Sequence, residues 1–204
     1  MAPILADFFR RVNRKNEFRY AYLYVVFCLT GPAIGLTRVH QDGRDFQMAY
    51  VIFDLDGTVI DSTHRQATKA DGSLDLDHWF ENNTADKILS DSLLPLAESM
   101  RALAAIGHTI VICTARAIQN ADKLFLAMNN LPYNTLLHRE IGNMEGDASL
   151  KIRLLEEYFI GQGFNNAAEA KPIMFDDNLK VIDAMLSIGI KCYDATKINE
   201  RLAA

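Results

Sequence analysis

The feature that most constrains the fold of this chain is an apolar run that ends abruptly in acidic residues, Val51-Ile52-Phe53-Asp54-Leu55-Asp56-Gly57-Thr58. Its apolar part predicts a buried parallel strand over about 49–53, because strands covered on both faces read as continuous hydrophobic runs. Gly57 permits the sharp turn that has to follow such a strand. Since ligands of open α/β sheets bind at the carboxyl ends of the strands, we expect Asp54 and Asp56 to face the active crevice.

The size and charge of the chain limit the classes of protein to which it can belong. Its 204 residues are 50% hydrophobic, which is enough for one substantial core. The net charge of -5 disfavours a large nucleic-acid-binding face. Three cysteines, Cys28, Cys113 and Cys192, are odd in number and lack metal-ligand spacing. They are therefore predicted to be reduced core residues of a cytoplasmic protein.

Residues 1–47 differ in pattern from the rest of the chain. An apolar segment over 21–36 follows a basic stretch, but it is short for a bilayer span and is interrupted by Thr30-Gly31-Pro32. We therefore expect a peripheral N-terminal extension rather than a membrane anchor, with Met48 as an alternative start of the functional chain. The regular pattern begins at Met48 and predicts one domain over 48–204.

Within 48–204, apolar strand-like runs alternate with amphipathic helical patterns. Helices are predicted over about 95–106, 118–130, 148–160 and 178–188, and further strands over about 108–113, 135–138, 171–175 and 190–193. This alternation predicts an α/β fold with a Rossmann-like, doubly wound parallel sheet. Asp147 and Ser149 are expected to cap the third of these helices. The polar stretch 61–91 has weak periodicity and is predicted to be a small cap insert over the active site.

Polar groups cluster at the predicted strand ends. They are Asp54 and Asp56, Thr114, and Asp176 and Asp177, together with one lysine inside a helix, Lys151. Carboxylates grouped without histidine or cysteine suit a hard, oxygen-liganded cation, which favours Mg²⁺. A threonine hydroxyl, an ammonium and the guanidinium of Arg116 suit phosphate oxygens. A nucleophilic aspartate can form an aspartyl-phosphate, and a second carboxyl nearby can protonate the leaving oxygen.

This constellation resembles the haloacid dehalogenase-like phosphatase superfamily. The matching motifs are Asp54-Leu55-Asp56-Gly57-Thr58, Ile112-Cys113-Thr114, Lys151 and Phe175-Asp176-Asp177-Asn178. The resemblance implies that Asp54 is the nucleophile, that Asp56 is the general acid/base and that Lys151 is catalytic. It further implies a Mg²⁺ site made by Asp54, the Asp56 backbone carbonyl, Asp176 and Asp177. The implied substrate contacts are Thr58, Thr114, Ala115, Arg116, Lys151 and Arg139.

Within that superfamily the chain looks like the phosphatase half of the polynucleotide kinase/3′-phosphatase family. The stretches that carry this likeness are 107–116, His138-Arg139-Glu140, 146–151, 176–178 and 188–192. Two departures stand out. The chain has no Gly-x-x-x-x-Gly-Lys-Ser/Thr loop, so no kinase half is present in this sequence, and Asn178 stands where that family tends to carry a basic residue.

The resulting prediction is a Mg²⁺-dependent phosphatase that hydrolyses a phosphomonoester through an aspartyl-phosphate. The expected substrate is a nucleotide or a 3′-phosphorylated nucleic-acid end, and a preference for the latter would call for a search for a basic groove around Arg65, Lys69 and Arg139. The alternatives are a phosphatase of a sugar or other metabolite, and a non-catalytic binding protein with the same fold. Three residues keep two interpretations each: Arg116 (substrate clamp or structural ion pair), Arg139 (substrate contact or structural turn) and Trp79 (packing anchor or base stacking).

Overall fold

The computed structural model describes residues 49–71 and 75–204. The predictions for the N-terminal extension, the segment 21–36, Cys28 and the start at Met48 lie outside these residues. Over the described ranges, the strands are β1 (Tyr50–Phe53), β2 (Ile60–Asp61), β3 (Ser92–Leu93), β4 (Thr109–Ala117), β5 (Thr135–Arg139), β6 (Ile173–Asp176) and β7 (Lys191–Asp194). The α-helices are α1 (Leu76–Asn82), α2 (Ala85–Leu89), α3 (Leu96–Ala105), α4 (Asn120–Met128), α5 (Asp147–Gly161), α6 (Leu179–Ser187) and α7 (Ala195–Ala203).

A parallel sheet with the strand order β5-β4-β1-β6-β7 forms the centre of the fold. The chain winds outward from β1 in both directions, which is the doubly wound arrangement that the alternation predicted. Side chains of β1 alternate between the two faces of the sheet. Phe53 belongs to a core shared with Met100 of α3 and Phe125 of α4, while Ile52 packs with Leu155 of α5. The α/β fold prediction is confirmed.

The observed elements differ from the predicted ones in three ways. The helices α1, α2 and α7 were not predicted, and the stretch that contains α1 and α2 has only weak periodicity. Strand β4 continues to Ala117, so Thr114 and Arg116 lie inside this strand rather than beyond it. The predicted caps of α5 are wrong: Gly146 is the N-cap residue and no side chain caps the helix, because the Asp147 carboxylate is bound by Arg139 instead.

The segment between β2 and β3 forms an insert, which follows the loop at the carboxyl end of β1. Strands β2 and β3 pair antiparallel, and between them lie a short 3₁₀ helix, Thr63–Arg65, and the helices α1 and α2. Ile88 of α2 is fully buried, and α2 packs on α4 of the main domain. The insert is therefore fixed to the domain through α2.

Two further observations bear on the sequence predictions. Cys113 and Cys192 are free thiols and both are buried, which confirms the core assignment for these two residues. Among the helices formed by 49–71 and 75–204, none has both the length and the hydropathy that crossing a bilayer requires.

Candidate active site

Three carboxylates meet at the carboxyl end of the sheet. Asp54 follows β1 directly, Asp176 ends β6, and Asp177 comes next. Because β1 and β6 are neighbouring parallel strands, their ends lie side by side. One oxygen from each of the three carboxylates lies within 4.8 Å of the others. The structure thus brings together three of the four predicted metal-site residues through their side chains.

Lys151 is the cation of this cluster. Helix α5 packs on β4 and β5, and it carries the Lys151 ammonium into the buried edge of the site. Its Nζ lies 2.6 Å from Asp176 Oδ2 and 2.9 Å from Asp54 Oδ1. Burial disfavours the charged form, but the two carboxylates outweigh burial and raise the pKa of Lys151 above its usual value. The ammonium therefore stays charged across the physiological range.

The carboxylates themselves are harder to ionise than ordinary aspartates. Burial raises the pKa of Asp54 to about 7; Lys151 opposes this rise, and repulsion from Asp176 adds to it. Burial, together with the neighbouring Asp54, raises the pKa of Asp177 to about 6. Asp54 Oδ1 is buried and accepts no hydrogen bond, although it pairs electrostatically with Lys151. Three carboxylates against one ammonium leave an excess of negative charge, and hard oxygen donors of this kind fit Mg²⁺.

Asp56 has different partners from Asp54. Arg116 Nε donates to Asp56 Oδ2 at 2.9 Å, and Arg116 Nη2 and Ser62 both donate to Asp56 Oδ1. Burial would raise the pKa of Asp56, but the Arg116 guanidinium outweighs it and holds that pKa below its usual value. Arg116 Nη1 also donates to Asp122, a buried carboxylate that the sequence did not single out. The predicted substrate clamp is thus engaged in internal ion pairs.

A second arginine, Arg65, comes from the insert and is fully buried. Its Nε and Nη2 donate to the two oxygens of Asp91 at 2.8 Å and 2.9 Å, and its Nη1 donates to Asn83 Oδ1 at 2.8 Å. Arg65 Nη2 also lies 3.8 Å from Asp56 Oδ1. Arg65 is therefore an internal ion-pair partner and is too deeply buried to line a surface groove. The sequence pattern of the insert contains no periodicity that could have indicated this burial.

The predicted phosphate contacts beside β4 lie close to these groups. Thr114 is buried, and its Oγ1 accepts the backbone N–H of Arg116 at 3.1 Å. Thr58 is fully buried, and its Oγ1 has no hydrogen-bond partner among the described residues. The carbonyl of Ala115 accepts Arg139 Nε at 2.6 Å. These residues are therefore assembled around the turn after β1 and the end of β4.

The other donor groups of Arg139 form hydrogen bonds within the loop that follows β5. Arg139 Nη1 donates to the carbonyls of Asn143 and Glu145 at 3.0 Å and 2.6 Å, and Nη2 donates to Asp147 Oδ1 at 2.7 Å. These contacts join the loop after β5 to the start of α5. None of these hydrogen bonds of Arg139 involves Asp54, Asp176 or Asp177, so its role as a substrate contact stays a prediction.

Sequence comparisons show which known proteins this chain is similar to. A family model described as bacteriophage T5 5′-deoxynucleotidase matches residues 44–204. The 5′-deoxynucleotidase of Escherichia phage T5 is 31% identical over 170 residues, which cover 75% of this chain and 69% of that protein.

Two solved structures share the architecture. A chain of the Pnkp1/Rnl/Hen1 complex matches with a TM-score of 0.52 and 22% identity, over 80% of this chain and 50% of that chain. A haloacid dehalogenase-like hydrolase from Streptococcus pneumoniae matches with a TM-score of 0.54 and 11% identity, over 72% of this chain and 84% of that chain. At these identities the likeness concerns the fold, which is haloacid dehalogenase-like, as expected from the motifs.

Proposed function

This chain belongs to the bacteriophage T5 5′-deoxynucleotidase family, and from that premise we propose that it hydrolyses deoxynucleoside 5′-monophosphates to a deoxynucleoside and inorganic phosphate. The chain is a phosphoric monoester hydrolase. The observation that carries the finer proposal is the buried Asp54 carboxylate, held beside Lys151 and grouped with Asp176 and Asp177. This arrangement supports a nucleophile that lies next to groups able to accommodate a phosphate.

In the first step, an Asp54 oxygen attacks phosphorus and the bond from phosphorus to the 5′ oxygen of the sugar breaks. As Arg116 turns from Asp56 to the substrate phosphate, Asp56 takes up a proton and passes it to that leaving oxygen, so the deoxynucleoside departs neutral. Lys151 balances negative charge that builds on the phosphoryl oxygens. Arg116 assists by exchanging part of its contact with Asp56 for the substrate phosphate.

In the second step, water attacks the phosphorus of the aspartyl-phosphate. Asp56, now a carboxylate, takes a proton from that water, and the bond between phosphorus and the Asp54 oxygen breaks. Inorganic phosphate leaves, and Asp54 is again a free carboxylate. The pairing of Asp56 with Arg116 and Ser62 suits this second role, since it favours the ionised carboxyl.

The cofactor we propose is Mg²⁺. Asp54, Asp176 and Asp177 would hold it, since each offers a carboxylate oxygen and one of these oxygens, Asp54 Oδ1, is buried without a hydrogen bond. The chemistry that a bound Mg²⁺ supplies is neutralisation of negative charge on the transferring group. The Asp56 backbone carbonyl is the fourth ligand that the superfamily resemblance implies.

The test is phosphate release by the full chain with Mg²⁺, with Asp54→Asn as the control. Deoxynucleoside 5′-monophosphates, nucleoside 3′-monophosphates, a 3′-phosphorylated oligonucleotide and ribose 5-phosphate are compared by kcat/KM. We expect the deoxynucleoside 5′-monophosphates to be preferred and Asp54→Asn to be inactive. Preference for the oligonucleotide or for the sugar phosphate would overturn the substrate assignment. Undiminished release by Asp54→Asn would overturn the covalent mechanism.

A further inference from the structure

Trp79 is the single tryptophan of the chain, and it lies against two arginines. The centroid of its ring is 4.3 Å from Arg65 Cζ and 5.6 Å from Arg116 Cζ. Both distances are within the range in which a guanidinium is attracted to an aromatic face. One helix of the insert, α1, thus supplies a ring that contacts an arginine of the insert and an arginine of β4.

Both arginines lie close to the same two carboxylates, those of Asp56 and Asp91. Arg116 Nε lies 2.9 Å from Asp56 Oδ2, and Arg65 Nη2 lies 3.8 Å from Asp56 Oδ1. On the other side, Asp91 accepts from Arg65 at 2.8 Å and lies 3.7 Å from Arg116. Both guanidiniums are buried, so their mutual repulsion has to be offset locally, and the Trp79 ring adds to what Asp56 and Asp91 provide.

Two hydrogen bonds made by Asn83, the residue that follows α1, help to fix the position of the Trp79 ring. Asn83, which ends α1, accepts Arg65 Nη1 at 2.8 Å through its side chain. The backbone carbonyl of Asn83 accepts Gln119 Nε2 at 3.1 Å, which ties the same residue to the start of α4. Displacement of the ring would remove one contact from each of the two arginines, and Arg116 is the one that makes a two-point contact with Asp56.

We propose that Trp79 is a positioning residue for Asp56, acting through its stack on the Arg65 and Arg116 guanidiniums. This inference rests on the proposed function, in which Asp56 gives a proton to the leaving oxygen. It differs from a role in stacking on a substrate base, because the ring serves the two arginines instead. Trp79 itself makes no contact with the reacting atoms in this scheme.

The test compares two aryl phosphates that differ in how much they need a proton donor. Phenyl phosphate has a poor leaving group, whereas the leaving group of 2,4-dinitrophenyl phosphate departs without protonation. The variants are Trp79→Leu, Trp79→Phe, and the matched control Phe80→Leu, which alters the neighbouring exposed ring on the same helix. Asp56→Asn is the reference for loss of the proton donor, and thermal melts followed by circular dichroism establish that each variant is folded.

We expect Trp79→Leu to lower kcat/KM for phenyl phosphate about tenfold more than for the dinitrophenyl ester. Trp79→Phe should recover most of this difference, since it retains an aromatic face, and Phe80→Leu should leave both substrates unchanged. If Trp79→Leu melts below the assay temperature, Trp79→Met replaces it, with the same expected result.

Three outcomes separate this inference from the proposed function. Equal losses on both esters in Trp79→Leu, with a selective loss in Asp56→Asn, would overturn the role of Trp79 alone. A loss confined to a deoxynucleoside monophosphate and absent from phenyl phosphate would indicate base stacking, and would also overturn it. No selective loss in Asp56→Asn would overturn the proton-donor role of Asp56, and the inference would fall with it.

Discussion

The carboxylate of Asp177 occupies the space in which a side chain on residue 57 would begin. A Cβ placed on Gly57 would lie 2.3 Å from Asp177 Oδ2 and 2.6 Å from its Cγ, and the φ angle of Gly57 is +69°. The turn after β1 and the loop after β6 can approach each other this closely only because residue 57 is glycine. This approach helps to bring Asp177 to Asp54.

We expect Gly57→Ala to damage the site as well as the fold. The positive φ angle costs about 1–2 kcal/mol in the free energy of unfolding for a residue with a Cβ, and the clash displaces the Asp177 carboxylate. Mg²⁺ affinity, measured by calorimetry, should fall with it. The matched control is Gly142→Ala, whose φ angle is +86° but whose Cβ would meet nothing within 4 Å. That variant should lose stability by a similar amount and bind Mg²⁺ normally; equal Mg²⁺ affinities in the two variants would contradict the steric account.

Asp54→Asn should abolish turnover and make the metal-free protein more stable at neutral pH. Turnover should fall by about 10³-fold or more, because the amide is not a nucleophile here. Burial raises the pKa of Asp54 from 3.8 to about 7, so the folded protein binds a proton that the unfolded chain has lost between those values. Stability conferred by that proton is lost as pH rises through about 7, and the neutral asparagine avoids this loss.

The measurement is a thermal melt in EDTA at pH 7.5 and at pH 5. The melting temperature of Asp54→Asn should exceed that of the wild type by a few degrees at pH 7.5. The difference should shrink at pH 5, where the wild-type carboxyl is protonated. A difference that grows on acidification would mean that the Asp54 pKa is lowered in the fold, in conflict with the burial described above.

Binding of Mg²⁺ should release protons near pH 6. The ligands have to be ionised to bind the cation, and the pKa values of Asp54 and Asp177 are raised to about 7 and about 6. Affinity should therefore increase roughly 100-fold between pH 5.5 and pH 8. Calorimetry in two buffers with different ionisation enthalpies measures the protons released, which we expect to number between one and two at pH 6 and close to none at pH 8. Absence of proton release at pH 6 would count against these carboxylates as the ligands.

The sheet and the carboxylate cluster were predictable because local patterns determine both. Apolar runs mark β1, β4 and β6, and the carboxyl ends of neighbouring parallel strands necessarily meet, so Asp54 and Asp176 could be placed together without coordinates. Lys151 was identified through the resemblance to the superfamily motifs, and its burial follows from the packing of α5 on β4 and β5.

The partners of Asp56 could not be predicted in the same way. Arg65 and Asp91 lie on either side of the irregular insert, and their burial depends on how this insert folds back over β4. A charged residue that is buried in a tertiary ion pair has no periodic signature, and its type alone favours the surface. The same limit applies to Arg139, whose donors serve backbone carbonyls of a loop that has no regular pattern.

Arg139→Gln distinguishes the two interpretations that the sequence left open for this residue. Its guanidinium donates to the carbonyls of Ala115, Asn143 and Glu145, so its loss should loosen the loop that leads into α5. We expect the melting temperature to fall by several degrees and limited proteolysis to cut within 140–146. A rise in KM for a deoxynucleoside monophosphate at unchanged stability would instead favour direct substrate contact.

We expect Asp91→Asn, which replaces one carboxylate oxygen by an amide nitrogen, to lower the free energy of unfolding more than most substitutions in the insert. The variant leaves the fully buried Arg65 without the carboxylate that accepts its Nε and Nη2 at 2.8 Å and 2.9 Å. Removal of one partner from a buried ion pair costs about 3–5 kcal/mol, since the other charge stays buried. Urea unfolding at pH 7 measures this change. The control is Arg153→Gln, which removes an exposed pair with Glu157 and a part-buried pair with Glu145 and should change stability much less. Similar small effects in both variants would mean that the Arg65–Asp91 pair contributes little to holding the insert on the domain.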